Sequence, residues 1–321
     1  MDLSHRCGTA SFTCLTILSL LNCIRICDAP VANNMSPEKD VKDRILHNTA
    51  KSCLIIFGIL LTVHAFEAIV LRMDETFFGE NFINKLFGIA VIWVVLRMLR
   101  WDWKDIGFST AGFAKKIFLG FSLSAITFLI AYAIECSILI RQGNTVRFGF
   151  FTTGFSLTGA SVIHTGIGYI AMCVFFNIVN VVMEEGTFRG LFYEILRTDH
   201  SLKAAMLMQA FLFGIWHVVT PLHNLIDGDI GLLSFFALSV GYVILAGMMG
   251  IKWGLMYRMT GSLYAGMAAH FFNNCIATNL LHVSTENGID ELMLIRVLVA
   301  QVLSFIIVAV IWSKKKRHIS E

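Results

Sequence analysis

The chain has 321 residues, of which 56% are hydrophobic and 15% are charged, and its formal net charge is +3. Average globular chains carry about 25% charged residues and need a polar exterior, so this composition excludes an ordinary soluble protein. No basic stripe interleaved with aromatic residues is present, and we expect no nucleic-acid partner.

Residues 1–34 form an N-terminal extension of uncertain role. Within it, residues 13–27 are apolar but short, which is typical of a signal-like segment or an interfacial helix. Met35 is an alternative start of the chain. Residues 35–321 carry neither a linker nor an internal repeat, and we expect them to form a single transmembrane domain.

Eight apolar segments follow, each near the length of about 20 residues that crosses the hydrocarbon core of a bilayer. They lie near residues 52–71, 83–99, 116–140, 163–184, 203–220, 232–251, 262–281 and 291–312. This pattern predicts an all-α, polytopic transmembrane bundle of about eight helices.

The distribution of Lys and Arg predicts the orientation of the bundle. If the first segment begins in the cytoplasm, the inner side collects most of these residues, with Arg189 and Lys252 among them. The outer loops after the fifth and seventh segments carry acidic residues such as Asp227 and Glu286 and no Lys or Arg. The positive-inside rule therefore predicts that both termini are cytoplasmic.

The first group of polar residues lies where the fourth apolar segment ends, at Glu184 and Glu185. Ionisable side chains in membrane helices are costly, so each one predicts a functional site. Glu185 and Arg189 are four residues apart and can pair on one helix face, whereas Glu184 points about 100° away. We expect Glu185 and Arg189 to hold the helix and orient Glu184. The alternative is a helix end with an ordinary surface ion pair.

Two further groups follow in the fifth and seventh segments. Residues 204–219 contain no ionisable residue besides His217, and a structural histidine is the alternative interpretation. His270 and Asn274 are four residues apart, so their side chains project to one side of a helix. Hydrogen bonding between helices is the alternative for this pair.

Helix geometry allows the three groups to meet. A turn at residues 198–201 separates the fourth and fifth segments, and Glu184 and His217 both lie roughly 21–24 Å from it. His270 and Asn274 lie roughly 12–18 Å from another inner turn, at Ser262. The sequence therefore predicts that a carboxylate, two imidazoles and a carboxamide converge.

Such a group of side chains fits the hydrolysis of a carbonyl compound. Glu184 and His217 would activate a water molecule, and apolar surroundings would tune the carboxylate for proton transfer. His270 and Asn274 would stabilise the oxyanion of the tetrahedral intermediate. A glutamate with two histidines also fits a divalent metal such as zinc, which stays an alternative although no HExxH motif is present. Nucleophile motifs of the GxSxG type and nucleotide-binding loops are missing from the sequence.

Three short motifs resemble the signatures of one family. EEGTFRG (184–190) fits EExxxR, FGIWH (213–217) fits FxxxH, and HFFNN (270–274) fits HxxxN. In this order they resemble the CAAX protease and bacteriocin-processing family, also called the abortive-infection family, over about residues 100–280. Carried over by position, the resemblance implies a catalytic glutamate at Glu184, its partner at His217, an oxyanion side at His270 and Asn274, and supporting positions at Glu185 and Arg189.

The resemblance implies a metal-independent, glutamate-dependent intramembrane endopeptidase without a cofactor. Its substrate would be a membrane-associated peptide or a lipidated protein, and membrane lipid would surround it. Bacterial members of the family are linked to bacteriocin maturation or immunity, so a bacterial plasma membrane is the expected location. Two alternatives remain open at this point. One is a non-catalytic binding protein for bacteriocin immunity or sensor-kinase regulation, and the other is a transporter with a proton path.

Overall fold

The computed structural model describes residues 42–43, 45–76, 78–153 and 163–320. The extension at residues 1–34 therefore lies outside the described residues. The described chain is a helical bundle, which confirms the predicted all-α membrane fold.

Helices cover all eight predicted segments. In chain order they are α1 (Thr49–Phe66), α2 (Ile83–Leu99), α3 (Phe113–Arg141), α4 (Ile167–Glu184), α5 (Leu202–Trp216), the short α6 (Val219–Ile226), α7 (Leu232–Thr260), α8 (Tyr264–Phe271) and α9 (Met293–Ser320). Wider π-helical turns extend α1 over Glu67–Leu71, α4 over Glu185–Phe192 and α8 over Phe272–Thr278, and α4 then continues through Tyr193–Leu196.

Among the described residues, six helical stretches are long and apolar enough to cross a membrane. They are Thr49–Glu75, Phe113–Arg141, Ile167–Leu196, Leu202–Ile226, Leu232–Thr260 and Met293–Lys315. The other two predicted segments are helical but shorter. Helix α2 has 17 residues, and α8 with its extension is only roughly 20 Å long at 1.5 Å per residue. The helical part of the apolar run predicted at 262–281 ends at Thr278, and the strand Leu281–Ser284 begins at the last residue of that run.

The short α8 lies inside the bundle, packed against α3, α4 and α7. Its residues 265–270 are all buried. Close approach is possible because small residues face it: a Cβ atom at Gly120 of α3 would lie 2.0 Å from the carbonyl oxygen of Ala265. A similar contact brings α5 against α7, where a Cβ at Gly214 would lie 2.7 Å from the carbonyl oxygen of Val243. Small residues thus let the backbones of neighbouring helices touch, as in other membrane bundles.

Two short antiparallel sheets lie at one end of the bundle, where no strand is predicted from the sequence. Strand β1 (Arg147–Phe150) pairs with β4 (Leu281–Ser284), and β2 (Thr152–Thr153) pairs with β3 (Ile163–His164).

A buried ion cluster is centred on Arg296 of α9, which forms ion pairs of 3.0 Å with Glu135 of α3 and with Asp290. Burial raises the pKa of Asp290, but the hydrogen bond with His282 and the charge of Arg296 outweigh it and lower this pKa overall. This ion cluster ties α3 to the start of α9.

The close contact at Gly120 gives a stability prediction. Gly120→Ala places a methyl group against the α8 backbone, so we expect the midpoint of thermal unfolding in detergent to fall by several degrees. Gly241→Ala in α7 is the control, because nothing lies within 4 Å of a Cβ at that position. Alanine also favours a helix more than glycine does, so the control should unfold at the same temperature or higher. Equal midpoints for the two variants would contradict the described packing of α3 on α8.

Candidate active site

The first motif lies within a buried part of the fourth membrane stretch. The α-helical part ends at Glu184, and a π-helical segment of 8 residues, Glu185–Phe192, continues it. Glu184 is 6% exposed and Glu185 is 1% exposed, so the alternative of a helix end with a surface ion pair is wrong. Segments of π-helix cost stability and are frequent at functional sites. The two adjacent carboxylates therefore belong to the interior of the bundle.

The two carboxylate oxygens of Glu184 have different surroundings. The indole Nε1–H of Trp216, from α5, donates a hydrogen bond of 3.1 Å to Glu184 Oε1. Glu184 Oε2 is buried, accepts no hydrogen bond from the described residues, and lies 3.5 Å from Nε2 of His270. One oxygen is thus anchored, and the other is available to a small donor.

The imidazole of His270 is held on three sides. Its Nδ1 donates to Glu185 Oε1 over 2.9 Å, and its Nε2 lies 3.1 Å from the side-chain nitrogen Nδ2 of Asn274. Trp253 stacks on the ring with centroids 4.1 Å apart. Because Nδ1 faces a carboxylate, it acts as the donor of the ring, and Nε2 faces the Asn274 amide nitrogen as an acceptor. We expected Glu185 to orient Glu184, but its carboxylate orients His270 instead.

Arg189 balances the charge of Glu185. Its Nη1 atom lies 3.5 Å from Glu185 Oε1, and the guanidinium carbon lies 3.8 Å from the ring centre of Phe213 and 5.0 Å from that of Trp253. A guanidinium over aromatic faces is stabilised by their negative charge distribution. Arg189 and Lys252 are 0% and 1% exposed, so they lie buried in the bundle and are not cations of a surface loop. A charge count along the sequence cannot distinguish a loop cation from one that is paired inside the bundle.

His217 lies at the C-terminal end of α5 and is partly exposed. Its Nδ1 donates to the carbonyl oxygen of Phe213 over 2.8 Å, which leaves Nε2 available. Among the described residues, no hydrogen bond joins it to Glu184, but the ring of Phe213 lies edge-on to both His217 and His270, with centroids 4.6 and 6.2 Å apart. The structure therefore connects Glu184, Glu185, His270 and Asn274 by direct contacts and places His217 beside them.

Sequence reasoning missed the two tryptophans of this site. Trp216 belongs to the second motif, and its ring also stacks on His64 of α1 with centroids 4.3 Å apart. Trp253 lies in an apolar part of α7. A tryptophan in an apolar helix is normally interpreted as packing. The available signal was the indole N–H of Trp216, because a buried N–H usually finds an acceptor.

The described residues contain one group of His and acidic side chains with metal-like spacing, and it lies outside the three motifs. It consists of Glu75, His223 and Asp227. Arg72 already donates hydrogen bonds to both carboxylates, and the bond from Arg72 lowers the pKa of Asp227. Its guanidinium thus occupies the acceptor oxygens that a cation would need, so these residues fit a salt bridge better than a metal.

Residues 164–276 match a family model described as type II CAAX prenyl endopeptidase, Rce1-like. The matched range contains all three motifs, the π-helical segment and the contacts around His270. No curated protein matches the chain significantly. The match agrees with the resemblance that the motifs carry.

Replacing Arg189 tests the charge balance of this site. Arg189→Met removes the cation beside a fully buried carboxylate, so we expect the free energy of unfolding to fall by about 3–5 kcal/mol. Arg197→Met is the control: it also removes an arginine paired with a glutamate, but the Arg197 side chain is 42% exposed. That change should cost about 1 kcal/mol or less. The measurement is chemical unfolding in detergent, and similar losses for both variants would contradict the role of Arg189.

Proposed function

We propose that this chain, whose residues 164–276 form an Rce1-like domain of the CAAX protease family, is a glutamate-dependent intramembrane endopeptidase. It would hydrolyse a peptide bond in a membrane-associated peptide or a lipidated protein. The observation that carries the proposal is the buried Glu184 Oε2, which accepts no hydrogen bond from the part of the chain that the structure describes and lies 3.5 Å from His270 Nε2. A carboxylate oxygen left in this state inside an apolar bundle is suited to accept a proton.

In the first step, Glu184 acts as the general base. Its Oε2 accepts a proton from a water molecule while the water oxygen attacks the carbonyl carbon of the peptide. Trp216 keeps the other oxygen in place through its indole N–H, so the carboxylate does not rotate away. His217 uses Nδ1 for the carbonyl oxygen of Phe213, so its Nε2 would hold the attacking water. Positioning of this kind, together with general base catalysis, supplies factors of about 10²–10⁴ in rate.

The attack moves negative charge onto the former carbonyl oxygen. Asn274 has two N–H donors on Nδ2, of which one faces His270 Nε2 and the other is left for this oxygen. His270 fixes this donor, because Glu185 accepts from its Nδ1 and its Nε2 accepts the first N–H of Asn274. Donors fixed in advance stabilise the oxyanion because they need no rearrangement during the reaction.

In the second step, the carbon–nitrogen bond breaks. Glu184 returns its proton to the leaving amine, the oxyanion collapses to a carboxylic acid, and the carboxylate of Glu184 is restored. The protons taken up and given back are therefore balanced. No metal takes part in this scheme.

His217 and Asn274 are partly exposed, whereas Glu184 and His270 are buried, so we expect a substrate to approach from the side of His217 and Asn274. Apolar helices surround the site, so a substrate that carries a lipid or lies in the membrane would reach the site from within the membrane. The cytoplasmic position of both termini and the bacterial location remain predictions from charge distribution and resemblance.

The central test is a cleavage assay with purified protein in lipid nanodiscs and a library of farnesylated and unmodified peptides. We expect Glu184→Gln to lower the cleavage rate at least about 100-fold, because the general base is lost. Glu75→Gln changes an exposed glutamate outside the motifs and should leave the rate unchanged. Equal cleavage by wild type and Glu184→Gln would favour the non-catalytic binding protein instead. A preference for the farnesylated peptides would identify the lipid as part of the substrate.

Chelation tests the metal-independent mechanism. Incubation with EDTA or phenanthroline, followed by removal of the chelator, should leave the cleavage rate at its original value, because Glu184 and His217 act on water directly. The rate is measured before and after zinc is added back. Loss of activity that zinc restores would establish the metal alternative and contradict the scheme above.

A further inference from the structure

A chain of buried amide side chains leads from the oxyanion side of the site to the last helix. Asn273 Nδ2 donates to Asn274 Oδ1 over 2.7 Å, and Gln301 Nε2, from α9, donates to Asn273 Oδ1 over 2.8 Å. Gln301 Oε1 in turn accepts from Nζ of Lys252, which lies on α7. Asn273, Gln301 and Lys252 are 7%, 2% and 1% exposed, so water does not compete for these contacts.

Every hydrogen bond in this chain runs in the same direction. An ammonium group has three donors and no acceptor, so Lys252 requires an oxygen, and it therefore fixes which end of the Gln301 amide faces it. The Gln301 nitrogen must then point to Asn273, which in turn points its nitrogen to Asn274. The last amide thus has its oxygen occupied, and its nitrogen faces His270.

We infer that Lys252, Gln301 and Asn273 are positioning residues that hold the Asn274 amide with its nitrogen towards the reacting carbonyl. The inference rests on the proposed function, because it concerns the oxyanion donor of that reaction. A carboxamide rotated by 180° has almost the same shape, and packing alone does not distinguish its two ends. In the rotated state, Asn274 would present an oxygen to the oxyanion and repel it.

A second feature of the cluster supports the role of the lysine. Nζ of Lys252 also donates to Oγ of Ser304 over 2.9 Å, and Ser304 Oγ donates to the backbone carbonyl of Gln301. The ammonium is therefore fixed by two acceptors on α9, and both belong to one helical turn. A buried cation is costly unless it is well solvated by the protein, and here its placement determines the direction of the whole chain.

Two isosteric variants test the direction of the chain. Gln301→Glu still accepts from Lys252 but cannot donate to Asn273, so Asn273 and then Asn274 rotate. Asn273→Asp still accepts from Gln301 but cannot donate to Asn274. We expect kcat of each variant to fall by about 10²–10³-fold, the effect of losing one oxyanion donor, with KM within about twofold of wild type. Gln142→Glu makes the same isosteric change at an exposed position after the end of α3, far from the chain of amides in sequence, and should leave kcat within about twofold of wild type.

The same assay separates this inference from its alternatives. If Glu184→Gln is inactive while both isosteric variants retain the wild-type kcat, the inference is wrong and the proposed function stands. An active Glu184→Gln variant would instead remove the proposed function. Folded protein is measured by size exclusion and thermal unfolding on the same samples. A loss of kcat that follows a loss of folded protein in both isosteric variants also overturns the inference, because it shows a structural role only.

Discussion

The contact between His270 Nδ1 and Glu185 Oε1 determines how the site is built. It joins α4 to α8, and it lies between residues that water does not reach. A carboxylate in this position is tolerated only when cations and donors surround it, and Arg189 and His270 supply them. Once Glu185 is occupied in this way, the neighbouring Glu184 faces the opposite nitrogen of the same imidazole. The position of Glu184 that the proposed mechanism requires is thus a consequence of how the charge of Glu185 is neutralised.

Aromatic side chains stabilise the charged and polar groups of this site, as water does in a soluble enzyme. Trp216 donates to Glu184, Trp253 covers one face of His270, and Phe213 lies under the guanidinium of Arg189. Each ring combines a large apolar surface with a polar edge or a negative face, so it satisfies a charge and still fits an apolar bundle. The aromatic rings therefore allow a cluster of five ionisable or amide groups to lie inside an apolar bundle, namely Glu184, Glu185, Arg189, His270 and Asn274.

The sequence predicts the positions of the helices and the three polar groups because long apolar runs are easily seen and polar residues stand out in them. It does not predict the π-helical segment, since spacing by 3.6 residues assumes a regular helix and no residue preference marks the wider turn. The partners also escape prediction. Glu185 meets His270, which is 85 residues later, and Asn273 meets Gln301, which belongs to an apolar helix with no motif. The burial of Lys252 also escapes prediction, because a count of charges along the sequence carries no information on burial.

The shortness and central position of α8 have a consequence for the biogenesis of the protein. A segment of this length that carries a histidine and asparagines partitions poorly into lipid by itself. Its packing partners α3, α4 and α7 all precede it in the chain, so we expect α8 to insert against helices that have already been made. Helix α9 follows α8 and brings Gln301 against Asn273. The arrival of α9 after the most polar segment would hold that segment in place, and the order of translation would then support correct insertion.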